Sequence, residues 1–245
     1  MRIITGIYKG RRFDIPRSFK ARPTTDFAKE NIFNVLNSYI DLEGVRALDL
    51  FAGTGSISLE LLSRGCSQVV SVEADRDHAR FIGECVRKLG VTNHQLIRGD
   101  VFRYLKSAQK SSTLTRGTAA LPLEHSGSAA LPAAQQPYTA EGHYTPQSGH
   151  ARGSAALPAA QQHLNRGEAA IERPDRGRAF SFIFADPPYA LPNLPDIPDL
   201  VLQSGILAPG GIFVFEHGKQ NDFSSHPCFR EHRAYGSVNF TIFTT

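Results

Sequence analysis

The sequence predicts an α/β protein with an open, doubly wound and mostly parallel sheet. Short apolar strands alternate with helices that end at a glycine, which is the pattern of βαβ units. Acidic residues follow several of these strands, and open α/β sheets bind their ligands at the carboxyl ends of strands. At 245 residues the chain can form one such domain with a sizeable core.

The first forty residues predict an arm and a helix. Residues 3–16 form two short apolar runs around Gly10, which predicts a β-hairpin. Residues 26–40 carry apolar side chains on one helical stripe, and the Thr-Thr-Asp stretch 24–26 offers an N-cap.

Strands and helices alternate in the remainder of the domain. Predicted strands span residues 45–51, 68–73, 94–98, 180–185, 212–216, 230–234 and 238–243, and predicted helices span 57–64, 76–89, 101–106 and 196–204. The turn Pro209-Gly210-Gly211 precedes the fifth strand, and the last two strands flank Gly236. We expect the sheet to close with an antiparallel C-terminal strand.

Residues 107–178 interrupt the alternation. The ten residues 127–136 recur unchanged at 153–162, and the Ala-Leu-Pro units between Gly, Ser and Gln offer no apolar face to bury. We therefore predict a disordered, repeat-expanded insertion. The chain is then divided into a basic arm (1–25), a domain formed by 26–106 and 179–245, and this insertion.

The strand over residues 180–185 runs into an Asp-Pro-Pro-Tyr turn. Prolines donate no backbone hydrogen bond and fix φ, so the turn is stiff. A carboxylate and a free carbonyl can accept both N–H bonds of a planar amino-bearing group while an aromatic ring stacks on it. The predicted catalytic residues are Asp186, Pro187, Pro188 and Tyr189. An ordinary strand-ending turn is the alternative.

A glycine loop follows the first strand. Its glycines allow positive φ and let a ligand lie against bare backbone. Ser58 replaces the third glycine of a dinucleotide fingerprint, and an acid opens the loop, which suits a cofactor with an amino-acid tail better than a pyrophosphate. Acids at the next two strand ends suit ribose hydroxyls and an adenine amino group. The predicted cofactor-binding residues are Asp49, Phe51, Gly53, Gly55, Glu73, Asp100 and Val101.

Positive charge is concentrated at the amino end of the chain. Residues 1–40 hold eight basic and three acidic residues, a net charge of +5, whereas the whole chain carries +4. Such a distribution is typical of a protein that binds a phosphate backbone, although a solvated basic surface is the alternative. The predicted RNA-binding residues are Arg2, Lys9, Arg11, Arg12 and Arg22.

Other features bear on location and metals. The amino end lacks the apolar region of a signal peptide, and no apolar run approaches bilayer length. The three cysteines are scattered and without metal-ligand spacing, so we expect free thiols, a cytoplasmic protein and no metal.

The chain resembles the RsmD family, Rossmann-like class I S-adenosylmethionine-dependent methyltransferases that act on a guanine N2 of small-subunit (16S) ribosomal RNA. The resemblance covers residues 1–106 and 179–245. Its motifs are Arg2-Ile3-Ile4, Tyr8-Lys9-Gly10-Arg11, Arg22-Pro23-Thr24-Thr25-Asp26, Lys29-Glu30, Phe33-Asn34, and the stretches 49–56, 186–189 and 209–216. The insertion departs from the family pattern.

This resemblance implies S-adenosylmethionine as cofactor and methyl transfer to the guanine amine. It implies small-subunit ribosomal RNA or an assembling small-subunit particle as partner, and we expect a monomer that binds no membrane. The alternatives are a methyltransferase for DNA adenine N6 or a protein glutamine, and a non-catalytic RNA-binding assembly factor. A nicotinamide-dependent oxidoreductase leaves the Asp-Pro-Pro-Tyr turn unexplained.

Overall fold

The computed structural model describes residues 1–19, 25–116 and 179–245, which form a seven-stranded sheet with helices on both faces. In chain order, the strands are β1 (Arg46–Leu50), β2 (Gln68–Glu73), β3 (His94–Arg98), β4 (Phe180–Ala185), β5 (Leu207–His217), β6 (Phe229–Tyr235) and β7 (Val238–Thr244). The helices are α1 (Asp26–Leu36), α2 (Ser56–Ser63), α3 (Arg76–Leu89), α4 (Val101–Arg116) and α5 (Ile197–Gln203).

The strand order is β3-β2-β1-β4-β5-β7-β6. Strands β3, β2, β1, β4 and β5 are parallel to their neighbours, and β7 runs antiparallel between β5 and β6. Strands β2 and β3 are added on one side of β1, whereas β5, β7 and β6 follow on the far side of β4. The direction of strand addition therefore reverses between the adjacent central strands β1 and β4. Such a switch point opens a crevice at the carboxyl ends of the strands. The predicted doubly wound sheet is confirmed.

Alternate residues of the central strands serve two separate cores. Phe182 and Phe184 of β4 pack with α1, α2 and α3, whereas Ile183 packs with Tyr104 of α4 and Val201 of α5. Because both faces are covered, these strands read as continuous apolar runs and not as alternating ones.

Three element boundaries differ from the sequence prediction by several residues. Helix α1 ends at Leu36 and not at residue 40. Helix α4 continues beyond residue 106 to Arg116, and Ala108 is buried in this extension although the sequence shows no apolar stripe there. Strand β5 starts at Leu207, before the predicted turn: Leu207 pairs with Phe180 and Ile212 with Phe182. The intervening residues therefore form a bulge within the strand, which is how a sheet accommodates Pro and Gly. Residues 117–178 of the predicted insertion lie outside the described residues.

The N-terminal arm is antiparallel, as predicted, with a bridge between Arg2 and Arg12 and backbone hydrogen bonds from Ile3 to Arg11 and from Gly10 to Ile3. Other backbone N–H groups of the arm bond to α2. Ile4 and Thr5 donate to the two carboxylate oxygens of Glu60 at 2.7 and 3.0 Å. Tyr8 and Ile7 donate to the hydroxyl and the carbonyl of Ser63 at 3.0 and 2.8 Å. The arm is thus fastened to a helix, because that helix satisfies the donors that a second strand would otherwise bind.

A buried lysine completes this attachment. Lys29 of α1 is fully buried, and its ammonium donates to the carbonyl of Arg2 at 2.7 Å and to Ser56 at 3.0 Å. It lies 3.9 Å from the buried carboxylate of Glu60. Burial lowers the pKa of Lys29, and the charge of Glu60 opposes that shift. The arm, α1 and α2 therefore share one buried polar network.

We predict that Glu60→Ala strongly destabilises the protein. The substitution leaves the buried Lys29 ammonium without its countercharge and the buried N–H of Ile4 without its acceptor, and breaking a buried pair from one side costs about 3–5 kcal/mol. Urea unfolding measures the loss. The control is Asp77→Ala, which breaks an exposed pair with Arg80 and should cost less than about 1 kcal/mol. Equal losses in the two variants would contradict the structural role of Glu60.

Candidate active site

Five acidic residues meet along one edge of the sheet. Strands β1, β2, β3, β4 and β5 are parallel, so their carboxyl ends share that edge. The acids within or just after these ends are Asp49, Glu73, Asp100, Asp186 and Glu216. Sequence reasoning assigned the first four to a site and missed Glu216, although its position at the end of a strand was a usable signal. The structure brings the predicted cofactor-binding and catalytic residues to this common edge.

The glycine loop has three residues with positive φ. Phe51, Gly53 and Gly55 have φ of 61°, 55° and 75°. A methyl group added at Gly55 would come within 2.9 Å of the Ile82 side chain on α3, so this glycine allows the loop to pack closely. At Gly53 the same addition would meet only the carbonyl of Phe51, at 3.8 Å. Space is therefore open beside Gly53, where a ligand can lie against the backbone.

Asp49 holds the glycine loop to the start of α2. One carboxylate oxygen accepts hydrogen bonds from the Ser58 N–H at 3.0 Å and from the Ser58 hydroxyl. The side chain is buried, and this burial raises its pKa from 3.8 to about 7 although the Ser58 bonds oppose the shift. Serine at the third glycine position of the fingerprint thus has a defined role, because it binds the acid that opens the loop.

Glu73 holds the same loop from the neighbouring strand. Its two oxygens accept hydrogen bonds from the backbone N–H of Gly53 at 2.6 Å and of Asp75 at 2.7 Å. The His78 ring of α3 lies 3.8 Å from the same carboxylate. Glu73 therefore holds the glycine loop against the carboxyl end of β2 and places a carboxylate in the crevice.

Asp100 begins α4 and stays exposed. It accepts the N–H of Arg103 at 2.9 Å, which is an N-cap bond. Val101, the next residue, is buried in the core, whereas the Phe102 ring meets the Phe51 ring edge to face at 6.2 Å. An acidic acceptor and two aromatic rings thus stand at this end of the crevice.

The Asp-Pro-Pro-Tyr turn follows β4, and its tyrosine is held from β5. The Tyr189 hydroxyl donates to the Glu216 carboxylate at 2.9 Å, while its ring is 39% exposed. Burial raises the pKa of Tyr189, and the charges of Glu216 and Asp186 add to the shift. Pro187 is buried and Pro188 is exposed. The turn therefore presents an oriented aromatic ring beside two carboxylates.

The predicted RNA-binding residues divide into three groups. Lys9, Arg11 and Arg12 are exposed on the arm. Arg2 forms an ion pair with Asp26 at 3.1 Å, so part of its charge is already neutralised. Arg22 lies outside the described residues. The arm residues accordingly remain the better candidates for contacts with phosphate.

A cleft of about 390 Å³ separates the arm from α3. It is lined by Arg11, Arg12, Phe13, Asp14, Phe81, Lys88 and Leu89. Lys88 was not singled out from the sequence, because a lysine in the last turn of a helix is common. The fold places it beside two arm arginines, so three basic residues and one acidic residue line the cleft.

Another cleft lies at the opposite edge of the sheet. It measures about 510 Å³ and is lined by Gly44, Arg46, Ser67, Gln68, Asn93, Ala179 and Ser181. These residues precede or begin their strands, at the edge opposite the glycine loop, and none is a predicted site residue. We therefore place the candidate site at the carboxyl edge, where the acids converge.

No helix in the described ranges is long and apolar enough to cross a membrane. Across those same ranges, no three His, Cys, Asp or Glu side chains are grouped so that they could hold a metal ion.

A family model described as conserved hypothetical protein 95 matches residues 1–116 and 152–244. The match covers most of the chain and includes every residue predicted for the site.

Curated relatives match about half of the chain. It is 41% identical over 118 residues to "Putative rRNA methyltransferase YlbH" of Bacillus subtilis, covering 48% of this chain and 63% of that protein. It is 34% identical over 112 residues to "Ribosomal RNA small subunit methyltransferase D" of Escherichia coli strain K12, covering 46% and 54%. The chain thus spans less than two thirds of the length of either relative.

A solved structure matches over nearly the whole chain. The Escherichia coli protein described as "Putative methyltransferase yhhF" is 20% identical, covers 99% of this chain and 96% of its own, and superposes with a TM-score of 0.63. The fold is therefore the Rossmann-like fold of class I methyltransferases, as the sequence predicted.

We predict that Asp49→Asn becomes more stable relative to the parent as the pH rises. The folded protein keeps the Asp49 proton up to about pH 7, whereas the unfolded chain loses it near 3.8. The contribution of Asp49 to stability is therefore full at low pH and is lost as the pH rises through this window. Urea unfolding of both proteins from pH 4 to 8 measures the difference. The difference in unfolding free energy between the variant and the parent should grow up to about pH 7 and then level off. If the two proteins show parallel pH curves, the raised pKa of Asp49 is contradicted.

Proposed function

The chain belongs to the conserved hypothetical protein 95 family, the RsmD family that the sequence predicted, and we propose on that premise that it methylates small-subunit ribosomal RNA with S-adenosylmethionine. More narrowly, we propose the exocyclic N2 of a guanine as the acceptor. The observation that carries the proposal is the pairing of Tyr189 with Glu216 beside Asp186, at the switch point of the sheet and next to an open glycine loop.

The residues of the crevice fit S-adenosylmethionine. The open backbone at Gly53 gives room for the cofactor, and Glu73 stands where ribose hydroxyls bind in related sheets. Asp100, beside the Phe51 and Phe102 rings, would accept from the adenine amino group. Asp49, buried at the opening of the loop, would become ionised beside the ammonium of the amino-acid tail, because a bound cation lowers the pKa that burial has raised. The bound cofactor supplies an electrophilic methyl group on a sulfonium.

The catalytic turn is suited to a weakly nucleophilic amine. The lone pair of an exocyclic guanine nitrogen is delocalised into the ring, and hydrogen bonds from its N–H groups to Asp186 and the Pro187 carbonyl favour a localised lone pair. The nitrogen gains positive charge as the methyl group arrives, and the Asp186 carboxylate stabilises that charge. Holding the amine in line with the methyl group supplies much of the remaining rate.

Glu216 positions the stacking ring. Its carboxylate accepts the Tyr189 hydroxyl and is itself buried, so the tyrosine has one preferred orientation. A base can stack on the exposed Tyr189 face only if it is unpaired or flipped out of a helix, since a paired base is not accessible. The substrate is therefore a loop, or a helix that opens on binding.

The basic arm holds the RNA backbone. Lys9, Arg11 and Arg12 are exposed, and Lys88 faces the last two across the cleft. We propose small-subunit ribosomal RNA or an assembling particle as the partner, and a cytoplasmic monomer as the working form. Mass spectrometry of ribosomal RNA nucleosides from cells with and without the gene tests the function. If N2-methylguanine is missing from the RNA of cells without the gene, the proposal is supported. If another methylated nucleoside is missing instead, the enzyme is a methyltransferase with a different acceptor and the guanine N2 assignment is wrong.

We predict that Asp186→Ala loses methyl transfer and keeps the cofactor. It removes the acceptor for the target amine but no residue of the cofactor crevice, so calorimetric affinity for S-adenosylmethionine should be parental. Single-turnover transfer should fall about 100-fold or more, the scale for losing one preorganised electrostatic group. Tyr189→Phe keeps the ring but loses the bond to Glu216, so transfer should fall about tenfold. A parental rate in Asp186→Ala would exclude this mechanism.

We predict that the arm and Lys88 set the salt dependence of RNA binding. Each phosphate contact that is lost should flatten the slope of log affinity against log salt by about one unit. Arg11→Ala, Arg12→Ala and Lys88→Ala should each show this effect, whereas Arg2→Ala should show less because Asp26 already pairs with Arg2. Filter binding at several salt concentrations measures the slopes. If all variants show the parental slope, the arm does not bind RNA phosphates and is only a solvated basic surface.

A further inference from the structure

Phe27 is an exposed aromatic residue without a role in the core. Its side chain is 67% exposed in the first turn of α1, although phenylalanine is usually buried. Among the described residues, the exposed large apolar side chains are Ile7, Phe27 and Tyr189. Ile7 lies beside Ser63 at the far end of α2, whereas Tyr189 belongs to the catalytic turn.

Phe27 and the catalytic turn lie at the same edge and on the same face of the sheet. Val214 packs with the α1 side, so Glu216, two residues further along β5, points to that side as well. Glu216 pairs with Phe240 of β7, and the Phe240 ring lies 6.0 Å from the Tyr235 ring. Glu216, Phe240 and Tyr235 thus form a row of neighbouring side chains that extends from the catalytic turn towards β6.

Phe27 lies at the end of this row of side chains, next to Tyr235. Its ring meets the Tyr235 ring edge to face at 6.2 Å, which orients it and leaves most of its surface to solvent. Two strand spacings separate Glu216 from β6, so Phe27 stands on the order of 15 Å from the catalytic turn. That distance corresponds to a few nucleotides of single-stranded RNA.

We propose that Phe27 is a stacking platform for an unpaired base that flanks the target nucleotide in the RNA substrate. The inference rests on the proposed function and adds a second base-binding position to it. Aromatic rings bind single-stranded nucleic acid by stacking, because every base has an apolar face. The ion pair between Arg2 and Asp26 lies beside Phe27, so the platform adjoins the arm that binds phosphate.

The experiment measures the affinity of Phe27 variants for small-subunit RNA. Stacking on one aromatic side chain is worth about 1–3 kcal/mol, so Phe27→Ala should weaken RNA binding roughly tenfold. Cofactor affinity and the single-turnover rate at saturating RNA should stay parental. Phe27→Leu keeps an apolar side chain without a ring and should lose as much, whereas Phe27→Tyr should retain parental binding.

The outcomes separate this inference from the proposed function. Parental RNA affinity in Phe27→Ala and Phe27→Leu, in a protein that still methylates RNA, would overturn the platform alone. Parental affinity in Phe27→Leu with a loss in Phe27→Ala would reduce the role to apolar contact and also overturn stacking. A parental protein that binds and methylates no RNA would overturn both proposals.

Discussion

The carboxylate of Glu60 is the interaction on which the arrangement around the sheet depends. It accepts two N–H groups of the arm, lies beside the buried ammonium of Lys29, and receives Arg64 of its own helix at 3.0 Å. A buried charge is tolerable only when it is paired and hydrogen-bonded, so each of these partners is required by the others. Because Lys29 belongs to α1, the same contact also sets where the first turn of that helix stands.

The acids at the carboxyl edge divide into two kinds by their partners. Asp49 and Glu73 bind backbone N–H groups of the α2 start and the glycine loop, so they shape the space in which a ligand fits. Glu216 orients the ring of Tyr189 in the Asp-Pro-Pro-Tyr turn, and Asp186 is the first residue of that turn. One half of the edge therefore shapes a crevice, and the other half presents a carboxylate and an aromatic face.

Positive charge and exposed aromatic surface lie on the face of the sheet that α1, α2 and α3 cover, an arrangement that suits the proposed RNA partner. The arm places exposed cations beside α3, and α1 places Phe27 near Tyr235 on the same face as the Asp-Pro-Pro-Tyr turn. A single-stranded nucleic acid requires both kinds of surface, since cations bind its backbone and rings bind its bases. The positions of the cations and of Phe27 follow from the contacts of Glu60, which attach the arm and α1 to α2.

The sequence by itself determined the fold class, the order of the elements along the chain and the position of the Asp-Pro-Pro-Tyr turn, because apolar periodicity and glycine punctuation are local signals. It gave β2, α3 and β3 their bounds, and it identified the acids at four strand ends. Only the tertiary structure decided what those acids bind, why Ser58 stands in the glycine loop, and that Lys29 and Lys88 have specific neighbours. It also decided that the arm, besides pairing with itself, is hydrogen-bonded to α2. Such contacts join residues distant in the chain, and a buried lysine or glutamate is indistinguishable from an exposed one until its partners are in place.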